Sequence, residues 1–164
     1  MIDSPQYLKQ SLKKVRVLHR RIARRKKGSK GRAEAVHQLA KALEHIANQR
    51  RDWWHKVTYW LVNTYGVIAL EDLRLAFMLR NDKLARAAYY VALGIFYELL
   101  DYKAIEAGVQ VIAVNPRKTS EACAQCKELV SKDLSVRVHE CPHCGFVADR
   151  DVNAALNILS RAYS

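Results

Sequence analysis

From Pro5 to about Lys27, the apolar residues Leu8, Leu12, Val15, Leu18 and Ile22 recur every three or four positions, with lysines and arginines between them. That period gathers them on one face of a helix. Gly28-Ser29-Lys30-Gly31 breaks the pattern and predicts a tight turn. A second helical stripe then runs through Val36, Leu39, Leu43, Ile46, Trp53, Val57, Trp60 and Leu61. Two such stripes joined by a turn predict an antiparallel helical hairpin. Trp53, Trp54 and Trp60 have rings that could stack on bases, but at helical spacing they read as core.

Beyond Gly66 the pattern changes. Val67-Ile68-Ala69-Leu70 is a short, continuous apolar run that ends in Glu71-Asp72, as expected of a buried strand with acids at its carboxyl end. A helix is expected from about Lys83 to Ala107, stopped by Gly108. Val109–Val114 reads as a second buried strand, ended by Asn115-Pro116. Strand, helix, strand is a βαβ unit with parallel strands and a right-handed crossover. A last helix is expected from about Arg150 to Ala162. Two parallel strands do not make a stable sheet, so the core is expected to be incomplete or completed by another chain.

Charge changes the picture once it is located. Residues 1–56 carry 16 Lys or Arg against 4 Asp or Glu, whereas residues 57–164 carry 12 against 12. The whole excess of +12 sits in the first third, and such asymmetry points to a polyanion partner. No lipid-like apolar face accompanies it, and no apolar run approaches the roughly 18 residues of a membrane span. A soluble, cytoplasmic protein associated with the nucleoid is expected. The cations singled out as phosphate contacts are Arg20, Arg21, Arg24, Arg25, Lys26 and Lys27, with Lys13, Lys14, Lys30 and Arg32 next.

Four cysteines add a specific chemistry. Cys123-x2-Cys126 and Cys141-x2-Cys144 are separated by 14 residues. Each pair can close a tight knuckle whose two sulfurs face one ion, and two knuckles complete a tetrahedron. Gly145 supplies the backbone freedom a knuckle favours. A structural zinc is expected, with an iron–sulfur cluster or a redox pair as the rival readings. His139 and His143 are close enough in sequence to replace a ligand, but read as loop residues. Taken alone, Glu71 could be a solvated strand end, and Asp149 or Asp151 could simply cap the last helix.

Three stretches together resemble the TnpB family, the RNA-guided DNA nucleases of small insertion sequences. Val67–Leu73 is similar to the second acidic motif of its RuvC-type nuclease domain. Asn115-Pro116-x2-Thr119-Ser120-x2-Cys123-x2-Cys126 resembles the entry into its zinc ribbon. Asp149-Arg150-Asp151-Val152-Asn153-Ala154-Ala155-x-Asn157-Ile158 resembles its third acidic motif. The resemblance implies an α/β fold: a partial RNase H-like (RuvC-type) βαβ core, preceded by the basic hairpin and interrupted by the ribbon. It implies Glu71 and Asp151 as ligands of catalytic magnesium, with Asp149 a weaker candidate.

The implied organisation is a hairpin over 1–63, a βαβ part over 64–118, the ribbon over 119–148 and the closing helix over 149–164. The implied partners are DNA and a guide RNA, in the service of transposition and DNA recombination. The family's first acidic motif, of the type Gly-Ile-Asp-x-Gly, has no counterpart here, since Asp3 precedes Ser4-Pro5 in a polar start. The chain is therefore expected to be the carboxyl-terminal part of such a protein and inactive alone, with self-association or a full-length TnpB-like chain completing the core. The alternative is a non-catalytic zinc-ribbon module that binds DNA or RNA.

Overall fold

Leu8, Val15 and Leu18 are the buried positions of helix α1 (Tyr7–Ala23), as their spacing requires. In the computed structural model, which describes residues 5–73, 92–131, 133 and 136–164, α1 packs on α2 (Lys30–Thr64). Leu8 and Val15 cluster with Ile46, and Tyr7, Leu12 and Leu39 surround them. The turn between the helices is tied by its own cations. Arg32 donates to the carbonyls of Ile22 at 2.7 Å and Arg25 at 3.3 Å. Arg25 donates in return to the Gly31 carbonyl. Gly28, at φ +80°, takes the left-handed conformation the turn needs. Ser29 caps α2, its Oγ accepting from the Arg32 N–H at 3.3 Å.

The buried face of α2 differs from the expected stripe. Ile46, Arg50, Trp54, Thr58 and Val62 are its buried residues after Ala35. They recur every four positions, which turns about 40° past one revolution at each step and winds the contact around the helix. Val36 and Leu43 are exposed, and so is Trp60 at 44%. Trp54 is the core tryptophan; Trp53 is half-buried. Polar partners explain why apolar periodicity misses this face. Thr58 Oγ1 donates to the Trp54 carbonyl at 2.7 Å. Lys103 Nζ donates to the His55 carbonyl at 2.7 Å and to Thr58 Oγ1 at 3.0 Å. Phe96 packs on Trp54 with ring centroids 4.6 Å apart.

Phe96 and Lys103 belong to α3 (Leu93–Ala107). Residues 83–91 of the expected helix lie outside the described residues. Its end is where Gly108 placed it. Gly108 has φ +67°, Val109 N–H reaches the Ala104 carbonyl at 2.8 Å, and Gly108 N–H reaches that of Ile105 at 3.3 Å. These paired bonds are a Schellman motif.

Strands β1 (Val67–Glu71) and β2 (Gln110–Val114) pair in parallel, with Ile68 opposite Val111 and Glu71 opposite Val114. The βαβ reading therefore holds, and Glu71 is the last residue of its strand. Two further strands, β3 (Val138–Glu140) and β4 (Val147–Asp149), form an antiparallel hairpin. It runs directly into α4 (Arg150–Ala162). The described residues form two compact units, one of 5–64 with 92–103, the other of 65–73, 104–131, 133 and 136–164. Among the described residues, no helix is long and apolar enough to cross a membrane.

The inner face of α4 is polar. Asn153 and Asn157 are buried at 0% and 3% exposure. Asn153 Nδ2 donates to the Ala122 carbonyl at 2.8 Å, and its Oδ1 accepts from Ala124 N–H at 2.9 Å. Asn157 Nδ2 donates to the carbonyls of Thr119 at 3.0 Å and Ala122 at 2.7 Å. Val152, Leu156, Leu159 and Tyr163 are exposed instead. Replacing Asn153 with Leu keeps the branched shape but leaves the half-buried Ala124 N–H without its partner and the Ala122 carbonyl with Asn157 alone. The expected loss is about 2–4 kcal/mol in chemical denaturation, together with faster hydrogen exchange at the Ala124 amide.

Candidate functional site

The two cysteine knuckles share one backbone design. In the second, Cys141 N–H bonds the Phe146 carbonyl and Gly145 N–H bonds the Cys141 carbonyl, each at 2.9 Å. In the first, Cys123 N–H bonds the Glu128 carbonyl and Lys127 N–H bonds the Cys123 carbonyl, also at 2.9 Å. The residue after each second cysteine is left-handed, Gly145 at φ +73° and Lys127 at φ +65°. Gly145 fits the expectation. Lys127 adopts the same conformation without a glycine, a strain of roughly 1 kcal/mol. It is held by contacts from its Nζ to Asn157 Oδ1 and Ser160 Oγ, both at 3.3 Å.

The knuckles bring all four sulfurs within 4.8 Å of one another. Cys123 and Cys144 are 3.6 Å apart, and Cys126 and Cys141 are 3.5 Å apart. Four thiolates bonded at about 2.3 Å to one ion stand about 3.8 Å apart along the edges of a tetrahedron. The donor set therefore fits a single metal ion. Among the described residues, it is the one group of three or more such side chains close enough to share one.

The thiols feel their crowding. Burial opposes ionisation of Cys123, but the N–H groups of Cys126 and Gln125 outweigh it and draw the thiol down to about 6. At Cys126 the Glu128 N–H favours the thiolate, yet burial and the neighbouring sulfurs push it up to about 12. Four thiolates this close repel one another, and a central cation removes that cost.

His139 departs from expectation. It lies on β3, fully buried, with its ring centroid 6.2 Å from that of Phe146. It adds to the pull on Cys123, although neither ring nitrogen makes a hydrogen bond of good geometry among the described residues. His143 is exposed.

The acids collect in a second place. Glu71, at the end of β1, and Asp151, in the first turn of α4, line one cleft of about 420 Å³. Glu121, Asp133, Arg150 and Thr119 line it too, and none of the four stood out as site residues in the sequence. Thr119 Oγ1 lies 2.6 Å from Glu71 Oε1. Arg150 Nε lies 3.4 Å from Asp151 Oδ1.

Asp149 has a different place. It caps α4, its Oδ1 accepting the N–H groups of Asp151 at 2.8 Å and Val152 at 3.3 Å, and it is absent from the cleft lining.

The basic residues divide between structure and surface. Arg25 and Arg32 tie the hairpin turn. Lys13, Lys14 and Arg21 line a groove of about 730 Å³ along α1 and α2, joined by Lys41 and His45. Arg20, Arg24, Lys26, Lys27 and Lys30 are exposed.

Residues 1–82 match the family described as Probable transposase (OrfB_IS605), and residues 94–158 match the Cas12f1-like, TNB domain. A protein of Streptomyces pristinaespiralis named "Putative RNA-guided DNA endonuclease" is 33% identical over 97% of this chain and 40% of its own length. The TnpB-like protein L79 of Acanthamoeba polyphaga mimivirus is 32% identical over 80% of this chain and 26% of its own. The chain thus spans well under half the length of these relatives. The cryo-EM structure of a CRISPR-Cas12f ternary complex shares the fold, with a TM-score of 0.69 at 20% identity, over 93% of this chain and 32% of that one. With a matching family over its first half, a Cas12f1-like domain over most of the rest and a TnpB-like relative along most of its length, this chain belongs to the OrfB/TnpB family of probable transposases.

Proposed function

We propose that this chain is the RuvC-like, nucleic-acid-handling part of a transposon-encoded, RNA-guided DNA endonuclease that uses magnesium. One observation carries the reading: Glu71 and Asp151, far apart in sequence, line the same cleft at the end of a parallel strand. Open α/β sheets bind their ligands at that end. Magnesium prefers hard oxygen ligands and is commonly held by one or two carboxylates. When bound, it would stabilise charge on a scissile phosphate and lower the pKa of a bound water.

Within that reading, Glu71 and Asp151 supply the anionic oxygens and fix where the cation sits. Asp149 orders the first turn that carries Asp151. Among the described residues, no third acid joins these two closely enough to share an ion with both. We therefore assign cleavage to an assembly that contributes a further carboxylate, and nucleic-acid binding to the polypeptide alone.

The metal at the cysteines is assigned as zinc. The four sulfurs fit one tetrahedral ion, whereas a cluster of several irons would hold its cysteines further apart. A closed set of four thiolates leaves no position for a reacting water, so this zinc is structural. The segments 1–63, 64–118, 119–148 and 149–164 then serve as basic hairpin, βαβ core, ribbon and closing helix. DNA and a guide RNA are the partners, met at the nucleoid of a prokaryotic cytoplasm. The groove beside Lys13, Lys14 and Arg21, and the exposed Arg20, Arg24, Lys26, Lys27 and Lys30, contact phosphates. The exposed stripe of Val152, Leu156, Leu159 and Tyr163 meets a second copy or a longer chain of the same family.

Three measurements test these assignments. The purified, zinc-loaded chain is expected to bind labelled DNA and to cut it poorly in magnesium. Efficient cutting abolished by Glu71→Gln or Asp151→Ala would mean the chain holds a complete site; cutting indifferent to both would end the assignment of these acids. Replacing Arg24, Lys26 and Lys27 together with Ala should flatten the salt dependence of duplex binding. Every cation withdrawn from a phosphate lowers the slope of log K against log salt by about 0.9, and an unchanged slope removes these residues from the interface. In sedimentation equilibrium, the parent chain should self-associate with rising concentration. Leu156→Glu should suppress that association, and a parent that stays monomeric would refute the role of the stripe.

A further inference from the structure

We infer that Thr119 is the positioning residue of the acidic cleft, holding Glu71 in the rotamer that meets a divalent cation. The inference rests on the reading of Glu71 and Asp151 as ligands of that cation. Thr119 Oγ1 stands 2.6 Å from Glu71 Oε1 and 3.0 Å from the Pro116 carbonyl oxygen. A hydroxyl has one hydrogen to give. An ionised carboxylate is the stronger acceptor, and the shorter contact lies in the charge-assisted range of about 2.5–2.7 Å. The proton therefore goes to Glu71.

Thr119 can hold Glu71 because it is itself held. Its side chain is buried, with the residue 4% exposed. Its carbonyl accepts Asn157 Nδ2 at 3.0 Å, and its own N–H reaches the Pro116 carbonyl at 3.4 Å. Branching at Cβ restricts its χ1 further. Asn157 lies on α4, the helix that carries Asp151 in its first turn. One helix therefore locates both acids, Asp151 directly and Glu71 through Asn157 and Thr119. A glutamate free to rotate must be ordered when the cation arrives, and this one is ordered beforehand. Partners that hydrogen-bond a metal-ligating carboxylate commonly change metal affinity by about 10- to 100-fold.

The test uses the full, zinc-loaded chain with manganese(II) alone as the probe, free ion being counted by electron paramagnetic resonance. Thr119→Val removes the hydroxyl at nearly constant shape. It is expected to weaken manganese binding by about 10- to 100-fold with zinc content unchanged. Thr119→Ser keeps the donor and should bind close to the parent. In a Glu71→Ala background, Thr119→Val should add no further loss, because the carboxylate it positions is already gone.

Equal affinity in the parent and Thr119→Val overturns the inference and leaves Glu71 and Asp151 as ligands. A loss that Thr119→Ser does not restore makes Thr119 merely structural, and also overturns it. Parent binding that is absent, or indifferent to Asp151→Asn, overturns the cation reading and this inference with it. Should Thr119→Val fail to hold zinc, NMR of the parent decides. The Thr119 hydroxyl proton must be seen bonded to the Glu71 carboxylate and must shift as magnesium is added; its absence overturns the inference.

Discussion

Two buried amides, one helical turn apart on α4, satisfy the irregular stretch between Thr119 and Ala124, and much of the second unit depends on them. That stretch lies in neither a helix nor a named strand, so its carbonyls and N–H groups need partners from elsewhere. Asparagine offers two donors and an acceptor on one short, planar group. Asn153 uses both kinds at once, on Ala122 and Ala124. Asn157 spends its two hydrogens on Thr119 and Ala122 and receives Lys127 on its oxygen. An apolar residue at either place would pack well and leave buried backbone groups unmet, each at about 1–3 kcal/mol. The polarity of this face is therefore a condition of the packing.

The clasped stretch joins the two sites. At one end, Thr119 reaches Glu71; at the other, Cys123 begins the first knuckle. The cysteine cluster and the acidic cleft thus share a few residues of backbone, and α4 holds that backbone through Asn153 and Asn157. Under the proposed function, this accounts for a structural ion beside the acidic cleft. Among the described residues, the sheet structure of this unit is a two-stranded parallel sheet and a short hairpin, a small frame with which to hold carboxylates to a fraction of an ångström. The pair of buried amides supplies rigidity that so small a sheet does not, and a cation bonded to the four sulfurs would add to it.

The features legible in the sequence were those with a fixed spacing. Apolar residues recurring every three or four positions gave α1, continuous apolar runs gave β1 and β2, Gly108 marked the end of α3, and two Cys-x2-Cys pairs marked one cluster of four sulfurs. Features carried by polar residues were harder to see. The α2 face was misread because Arg50 and Thr58 sit on its buried stripe, where a hydrophobic pattern registers only gaps. Lys127 hid a left-handed residue because it is not glycine; the symmetry of the two knuckles was the one available signal. His139 looked like a loop residue because a three-residue strand is too short to show a period. Thr119 was read as part of a motif, with nothing in its neighbours to say that its hydroxyl faces an acid from a distant strand.

The basic run illustrates how far charge counting reaches. Counting treats every lysine and arginine of the first third as equivalent, but the turn at Gly28 uses two of them for its own construction. Arg32 meets the carbonyls of Ile22 and Arg25 at the end of α1, and Arg25 meets that of Gly31 at the start of α2. Helix carbonyls at a carboxyl terminus carry partial negative charge, so a guanidinium is a suitable partner on electrostatic as well as hydrogen-bonding grounds. A phosphate approaching Arg25 or Arg32 would compete with the carbonyls for the same hydrogens. The cations at the turn are therefore not equivalent: Arg25 and Arg32 build the turn, and Arg24, Lys26 and Lys27 are the ones assigned to phosphates in the proposed function.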